Sequence, residues 1–246
     1  MKTNLGAIIL AAGKGSRMKS KKINKVAMHL ADKPMILHSV ELLKEIKVKH
    51  TVVVVGFAKN SVMKLLDGGV IFAEQKKRLG TAHAVITALK KLPQGVDDVL
   101  VINGDDSAFY TKEIIKKLVD KQYESKAAFT FLTIERKNPA GLGRVVRSSD
   151  GRVLGIVEEK DASTVQRKIT EVNPACYIFK VNFLRKYLPF VEKSSITGEY
   201  YLTSLIELGI KNKEKVETLP AGNLAWRGIN TRDELLEAET LINKYL

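Results

Sequence analysis

An α/β architecture built on a doubly wound, predominantly parallel (mixed) sheet is the fold class the sequence predicts, and three observations predict it. Continuous apolar runs, largely β-branched, recur at residues 7–10, 51–55 and 99–102; such runs mark strands buried on both faces. Stretches with helical apolar spacing separate them, and strands alternating with helices of about ten residues give a parallel sheet. The runs end in small or turn-forming residues, Ala11-Ala12-Gly13, Gly56 and Asn103-Gly104-Asp105. Ligands on such sheets bind beyond the carboxyl ends of the strands.

In chain order, residues 7–10 predict the first strand and residues 35–46 a helix, with Ile36, Leu37, Val40 and Leu43 on one face. Residues 51–55 predict a buried parallel strand, residues 61–66 a helix and residues 70–73 a short strand. A helix over 81–92 follows Gly80 and is stopped by Pro93. After the strand at 99–102 the character changes. Residues 127–134 and 175–179 read as strands, and residues 144–146 and 153–157 flank the turn signal Ser149-Asp150-Gly151 as a hairpin. A helix is expected over 199–210, and Thr231 with Glu234 three residues on forms a capping box that opens the last helix.

Composition excludes several classes. The 246-residue chain can bury a large core, with 45% hydrophobic and 28% charged residues, as soluble globular proteins have. No apolar run approaches the roughly 18 residues of a membrane span. Residues Met1 to Asn4 lead straight into the first strand, leaving no room for a signal peptide, and the single cysteine, Cys176, forbids an intramolecular disulfide. A cytoplasmic location is the expectation. The net charge of +14 favours anionic partners. Most of the excess is lysine spread along helices, and only Lys19-Ser20-Lys21-Lys22 and Lys76-Lys77-Arg78 are dense. Nucleic-acid binders concentrate charge and interleave aromatics, so the reading is a solvated basic surface that also attracts anionic substrates.

Two stretches carry chemistry on their own residues. Leu10-Ala11-Ala12-Gly13-Lys14-Gly15-Ser16-Arg17-Met18 is a strand running into a small-residue loop, where outward backbone N–H groups can form an anion-binding concavity and Arg17 can grip phosphate with paired hydrogen bonds. An ordinary strand-to-loop turn with solvated Lys14 and Arg17 is the competing reading. The stretch is neither a Walker A loop nor a dinucleotide fingerprint. Asp105, after a buried strand and a glycine, suits Mg²⁺, which prefers oxygen ligands and substrate phosphates; a surface turn would use the same residues. His29, His38, His50 and His83 have no metal-ligand spacing, Cys176 reads as buried and inert, and Trp226 as packing.

The glycine-loop pattern resembles the signature of the sugar-1-phosphate nucleotidyltransferases, and most of all the uridylyltransferase domain of the bacterial bifunctional N-acetylglucosamine-1-phosphate uridylyltransferase/glucosamine-1-phosphate acetyltransferases. The likeness continues in order through Lys25-Val26, Glu74-Gln75, Leu79-Gly80-Thr81-Ala82-His83-Ala84, Asn103-Gly104-Asp105, residues 141–147, residues 155–162, Glu171-Val172-Asn173, residues 198–203 and Gly228-Ile229-Asn230-Thr231-Arg232. It implies the Rossmann-like fold of the nucleotide-diphospho-sugar transferase type, with a nucleotide half to about residue 110, a sugar half over about 111–230 and a C-terminal helix over about 231–245.

The resemblance also implies roles. Leu10, Ala11, Ala12, Gly13, Gly15 and Ser16 would cradle the nucleotide, with Gln75, Gly80, Thr81 and Gly104 around the base and its neighbours. Arg17 and Lys25 would be catalytic cations against phosphate. Asp105 and Asn230 would hold Mg²⁺, and Asn103, Gly143, Glu158 and Asn173 would bind the sugar. The implied reaction joins UTP and a sugar-1-phosphate, foremost N-acetylglucosamine-1-phosphate, releasing pyrophosphate. The same chemistry with dTTP or another sugar phosphate, and a non-catalytic nucleotide-sugar-binding relative, are the alternatives. A nucleic-acid binder has only net charge behind it.

Four departures from the family pattern stand out. Asn24 replaces a proline, Asn103 an aromatic, Asp106-Ser107 an apolar residue and proline, and Pro174-Ala175 a Thr-Gly pair. They fall on the sugar and metal side. No hexapeptide repeats occur, so acetyl transfer is not expected.

Overall fold

The computed structural model describes residues 4–245 apart from Lys19, Lys21, Asp67 and Asn223; half of the dense basic run at 19–22 thus lies outside the described residues, as do Met1 to Thr3. Its order is β1 (Leu5–Ala11), β2 (His29–Leu30), β3 (Lys33–Pro34), α1 (Met35–Glu45), β4 (His50–Val55), α2 (Lys59–Met63), β5 (Ile71–Glu74), α3 (Thr81–Leu89), β6 (Asp98–Asn103) and α4 (Lys112–Ser125). Then come β7 (Phe129–Glu135), β8 (Gly143–Arg147), β9 (Val153–Val157), β10 (Glu171–Asn173), β11 (Cys176–Lys180), α5 (Val181–Tyr187), α6 (Ser204–Lys211), β12 (Val216–Pro220) and α7 (Arg232–Tyr245).

All strands but β2 and β3 join one ten-stranded mixed sheet, ordered β5-β4-β1-β6-β11-β7-β10-β8-β9, with β12 added beside β7. The expected parallel pairing holds for β5, β4, β1 and β6. Beyond β6 the partners β11, β7, β10, β8 and β9 run antiparallel to one another. Side chains alternate across each strand. Ile9 of β1 therefore packs under α1, α4 and α7, while its neighbour Ile8 packs under α3, α5 and α6. Burial on both faces is what makes the central residues of β1, β4 and β6 apolar.

Three boundaries differ from expectation. The second helix is α2 at Lys59–Met63, not 61–66. The helix after Gly80 stops at Leu89, short of Leu92. Residues 199–203 are not helical, and α6 begins at Ser204. Here tertiary bonding overrides propensity: the Tyr200 N–H donates to the Leu79 carbonyl at 2.8 Å, and the Tyr200 carbonyl accepts from the Ala82 N–H at 2.9 Å. The Leu202 N–H donates to Thr81 Oγ1 at 2.8 Å. An extended strap thus ties the second half of the chain to the start of α3. The capping box forms as read, with Glu234 Nα–H donating to Thr231 Oγ1 at 3.1 Å and Thr231 N–H to Glu234 Oε2 at 3.0 Å.

The strap needs a glycine. Gly80 sits at φ +106°, and a Cβ there would lie 2.4 Å from the Tyr200 carbonyl oxygen and 2.7 Å from its nitrogen. Gly80→Ala should lower unfolding stability by roughly 2–4 kcal/mol, from a disfavoured backbone plus an overpacked contact, as read by denaturant titration.

The glycine loop is braced by Asn24, which is 1% exposed. Its Nδ2 donates to the carbonyls of Ala11 (3.0 Å), Gly13 (3.2 Å) and Phe57 (2.8 Å), while its Oδ1 accepts from the Val26 N–H at 3.1 Å. Its φ of −66° is a value proline also imposes, so the backbone is one that proline at this position would share. Asn24→Ala should cost roughly 1–3 kcal/mol by leaving buried carbonyls unpaired; thermal unfolding checks this.

Candidate active site

The carboxyl ends of β1, β5 and β6 carry the glycine loop, Gln75 and the Asp105 turn, so the predicted segments lie along one edge of the sheet. Among the described residues, the backbone N–H groups from Gly13 to Arg17 find no acceptor within the protein. A Cβ on Gly13 would meet nothing within 4 Å, and Gly15 takes φ +58°. The loop is therefore open above, with donors turned away from the chain, as an anion cradle requires. Ser16 and Arg17 stand exposed on the short turn that follows. Gly104 is buried, donating its N–H to the Leu10 carbonyl at 3.1 Å, where a Cβ would press on Ile36 at 2.9 Å.

Lys25 is the hub. Its Nζ pairs with Asp105 Oδ2, and it donates to the Ile229 carbonyl at 2.6 Å and to Asn230 Oδ1 at 3.3 Å. The two residues expected to bind a divalent cation thus converge on one ammonium group. Their oxygens are hard donors, and a single carboxylate plus an amide oxygen suits Mg²⁺, which takes its remaining ligands from water and phosphate. The donor set fits the ion. Asn230 is held in turn from α7, since its N–H donates to Glu234 Oε2 at 2.6 Å.

Between the two sheet halves lies a cavity of about 200 Å³. Of the expected site residues, Leu10, Arg17, Thr81, Asn103, Asp105, Gly143, Glu158, Asn173 and Asn230 line it. Ala11, Ala12, Gly13, Gly15, Ser16, Lys25, Gln75, Gly80 and Gly104 do not line it. Glu158 accepts from Thr203 Oγ1 at 2.8 Å, and burial raises its carboxyl above the usual range against that hydrogen bond. Asn173 donates through Nδ2 to the Tyr177 hydroxyl and accepts at Oδ1 from the Ala175 N–H at 3.0 Å. Gly143 leaves room for Ile156, whose Cγ2 a Cβ would approach to 3.0 Å.

Gln75 is buried and its Nε2 donates to the Gly80 carbonyl at 3.0 Å and to His83 Nδ1 at 2.9 Å. Both amide hydrogens are spent inside the protein, leaving Oε1 as the group it can offer a base. His83, read from sequence as bland, is what orients it. Other contributors were not singled out as site residues: Leu142, Thr203, Tyr177 and Trp226 line the cavity. Thr203 ends the segment at 198–203 that shares the family likeness, whereas Tyr177 carries no signal beyond an ordinary strand residue. Trp226 is packed, 2% exposed, with the Arg136 guanidinium 5.8 Å from its ring.

Asp106 is a third carboxylate at the cavity wall. Burial first, and the Asp105 charge second, push its carboxyl well above the usual carboxylate range, with Lys25 opposing. Cys176 is buried, and burial raises its thiol in the same way, consistent with an inert side chain.

Comparison with known proteins places the chain in a family. The Bifunctional protein GlmU of Caldicellulosiruptor saccharolyticus is 43% identical over 235 residues, covering 94% of this chain and 50% of that protein. The Bifunctional protein GlmU of Exiguobacterium sibiricum is 39% identical over 239 residues, covering 97% and 53%. The chain spans about half the length of the curated relatives it matches. In fold it is similar to a solved Bacillus anthracis protein described as a glucose-1-phosphate thymidylyltransferase, in complex with a sucrose. That match has a TM-score of 0.78 at 23% identity and covers 97% of this chain and 95% of that one. The model of the nucleotidyl transferase family matches residues 6–244, the open glycine loop, the Lys25 hub and the cavity all falling within it, and the chain belongs to that family.

Proposed function

We propose that this chain transfers a uridylyl group from UTP to a sugar-1-phosphate, foremost N-acetylglucosamine-1-phosphate, giving a UDP-sugar and pyrophosphate. The observation that carries the reading is the Lys25 hub: Asp105, Asn230 and a cation meet between an open, donor-rich loop and a cavity lined by Gly143, Glu158 and Asn173. Membership of the nucleotidyl transferase family supports it. The glycine loop would take the triphosphate through the N–H groups of Gly13 to Ser16, and Arg17 would face the pyrophosphate as it leaves.

A sugar-1-phosphate oxygen attacks the α-phosphorus in line, forming one P–O bond as the bond to pyrophosphate breaks. A phosphate monoester has its second pKa near 6, so the nucleophile is charged at neutral pH and no side chain need remove a proton. Positioning and charge stabilisation are what remain for the protein to supply. Mg²⁺ held by Asp105 and Asn230 would supply neutralisation of charge at the α-phosphate. Lys25, with no other carboxylate in its pairings, is the chain's own cation there. The sugar would lie against Asn103, Gly143, Glu158 and Asn173, so the two halves of the sheet divide nucleotide from sugar.

The base reading follows from Gln75. With its NH₂ committed to Gly80 and His83, it accepts but does not donate. Uracil and thymine both present an N3–H donor, whereas cytosine presents N3 as an acceptor. Placed opposite N3 of the pyrimidine, the Gln75 oxygen would select against CTP and leave dTTP as a second substrate. The pyrimidine C5 and the ribose 2′ position decide between the two.

With Mg²⁺ and a panel of sugar-1-phosphates, pyrophosphate release should be found with UTP or dTTP and be roughly tenfold to hundredfold slower or less with CTP, the range for a mismatched buried polar contact. No release with any pair overturns the transferase reading. Asp105→Ala and Lys25→Ala should each lower kcat by roughly a hundredfold or more, as loss of a transition-state charge contact does. Asp105→Ala should also abolish the saturable dependence of rate on Mg²⁺ concentration; a variant that keeps that dependence overturns the metal assignment.

A further inference from the structure

Among the described residues lining the cavity, Asp106 is the carboxylate with a buried, unpartnered oxygen. It is 5% exposed, and its Oδ1 is buried with no hydrogen-bond partner. Its Oδ2 accepts at 3.5 Å from Nδ2 of Asn103, itself a cavity residue. A buried carboxyl without a partner is costly, and the pattern this chain resembles has an apolar residue at the position. Nothing in the fold needs the charge: its neighbour Ser107 meets Ser39 instead, and Lys25 pairs with Asp105.

The wall around Asp106 is altered with it. Pro174, Ala175 and Tyr177 line the same cavity. Ala175 holds φ +58°, the left-handed region that disfavours a side chain, where the family pattern has glycine. Its methyl group therefore occupies space a glycine would leave open. Strain kept at a cavity wall is a feature of ligand sites. Together the two positions make that wall more polar on one side and narrower on the other.

We propose that Asp106 is a specificity residue for the acceptor, its carboxyl hydrogen-bonding a free hydroxyl or amino group of the sugar phosphate. The proposal rests on the sugar-1-phosphate reading above. Burial of the acceptor would supply the partner that Asp106 Oδ1 lacks within the chain. A hydroxyl and an amine share the chemistry, and paired substrates tell them apart. The added methyl of Ala175 lies on the same wall, beside the group that Asp106 would engage.

The test compares glucose-1-phosphate, glucosamine-1-phosphate and N-acetylglucosamine-1-phosphate with the unsubstituted protein, Asp106→Asn and Asp106→Val, following pyrophosphate release with UTP and Mg²⁺. Asp106→Val should lower kcat/KM for the best acceptor roughly tenfold to hundredfold, as loss of a buried hydrogen bond that leaves its partner unsatisfied does. The loss should appear in KM for the acceptor with KM for UTP unchanged, and the order of the three acceptors should change. Asp106→Asn should retain more of the activity. If glucosamine-1-phosphate suffers most, the partner is the amine; if glucose-1-phosphate does, it is a hydroxyl. Variants that keep the acceptor order and shift only thermal stability overturn the proposal while leaving the transferase reading intact. No release by the unsubstituted protein with any sugar phosphate overturns both.

Discussion

The contact on which the site depends is the meeting of Lys25 with Asp105, Asn230 and the Ile229 carbonyl. It draws together the segment after the glycine loop, the end of β6 and the turn before α7, segments separated by up to 205 positions in sequence. An ion pair in water contributes little. Here both partners are mostly enclosed, with side chains 12% and 16% exposed, and the ammonium also satisfies two neutral oxygens. Its consequence is geometric. Oxygen donors from distant elements are held around one positive charge, so the region proposed to receive a phosphate is held in place by the chain itself, which is the condition for electrostatic preorganisation.

That hub sits where the sheet changes character. Strands β5, β4, β1 and β6 are parallel, and β11 reverses direction beside β6. Parallel strands deliver their carboxyl ends, and hence their loops, to one edge. The antiparallel strands deliver ends and turns of both kinds, and Gly143, Glu158 and Asn173 reach the cavity from β8, the segment after β9, and β10. The reversal lets two sets of loops face each other across a cavity without a second domain's core. The Gly80–Tyr200 strap fastens the facing sides: it joins the start of α3 to the run before α6 through main-chain bonds and the Thr81 hydroxyl.

What could be read from the chain follows the same division. β1, β4 and β6 were legible because burial on both faces leaves an unbroken apolar run, and the glycine loop and Asp105 turn are contiguous in sequence. α4 was not, because Lys112 to Ser125 is dominated by charged residues and buries only Ile115, Leu118 and Gln122. β12 was missed because Val216–Pro220 is a partly exposed strand at a sheet flank, whose identity comes from pairing with β7. Residues 199–203 looked helical in isolation, yet their main chain is bonded to Leu79 and Ala82, a long-range fact with no local trace. Among site residues, the Gln75–His83 contact spans one loop, yet sequence spacing does not say which amide atom it consumes. The cavity itself is a property of packing.

The four departures from the family pattern are physically unlike one another, and the structure separates them. Asn24 substitutes hydrogen bonds for a ring at a backbone angle proline shares, so it preserves the loop. Asn103 Nδ2 donates to Asp106 Oδ2 at 3.5 Å, and so belongs with it. Asp106 and Ala175 each add something unfavourable in the protein alone, a buried unpaired carboxyl and a side chain at positive φ. A compensated change needs no external cause, as Asn24 illustrates. Two uncompensated changes lining one cavity call for something outside the protein to offset them, and the cavity they share is where a sugar would lie. Selection on stability alone would remove both; selection on what enters the cavity would keep them.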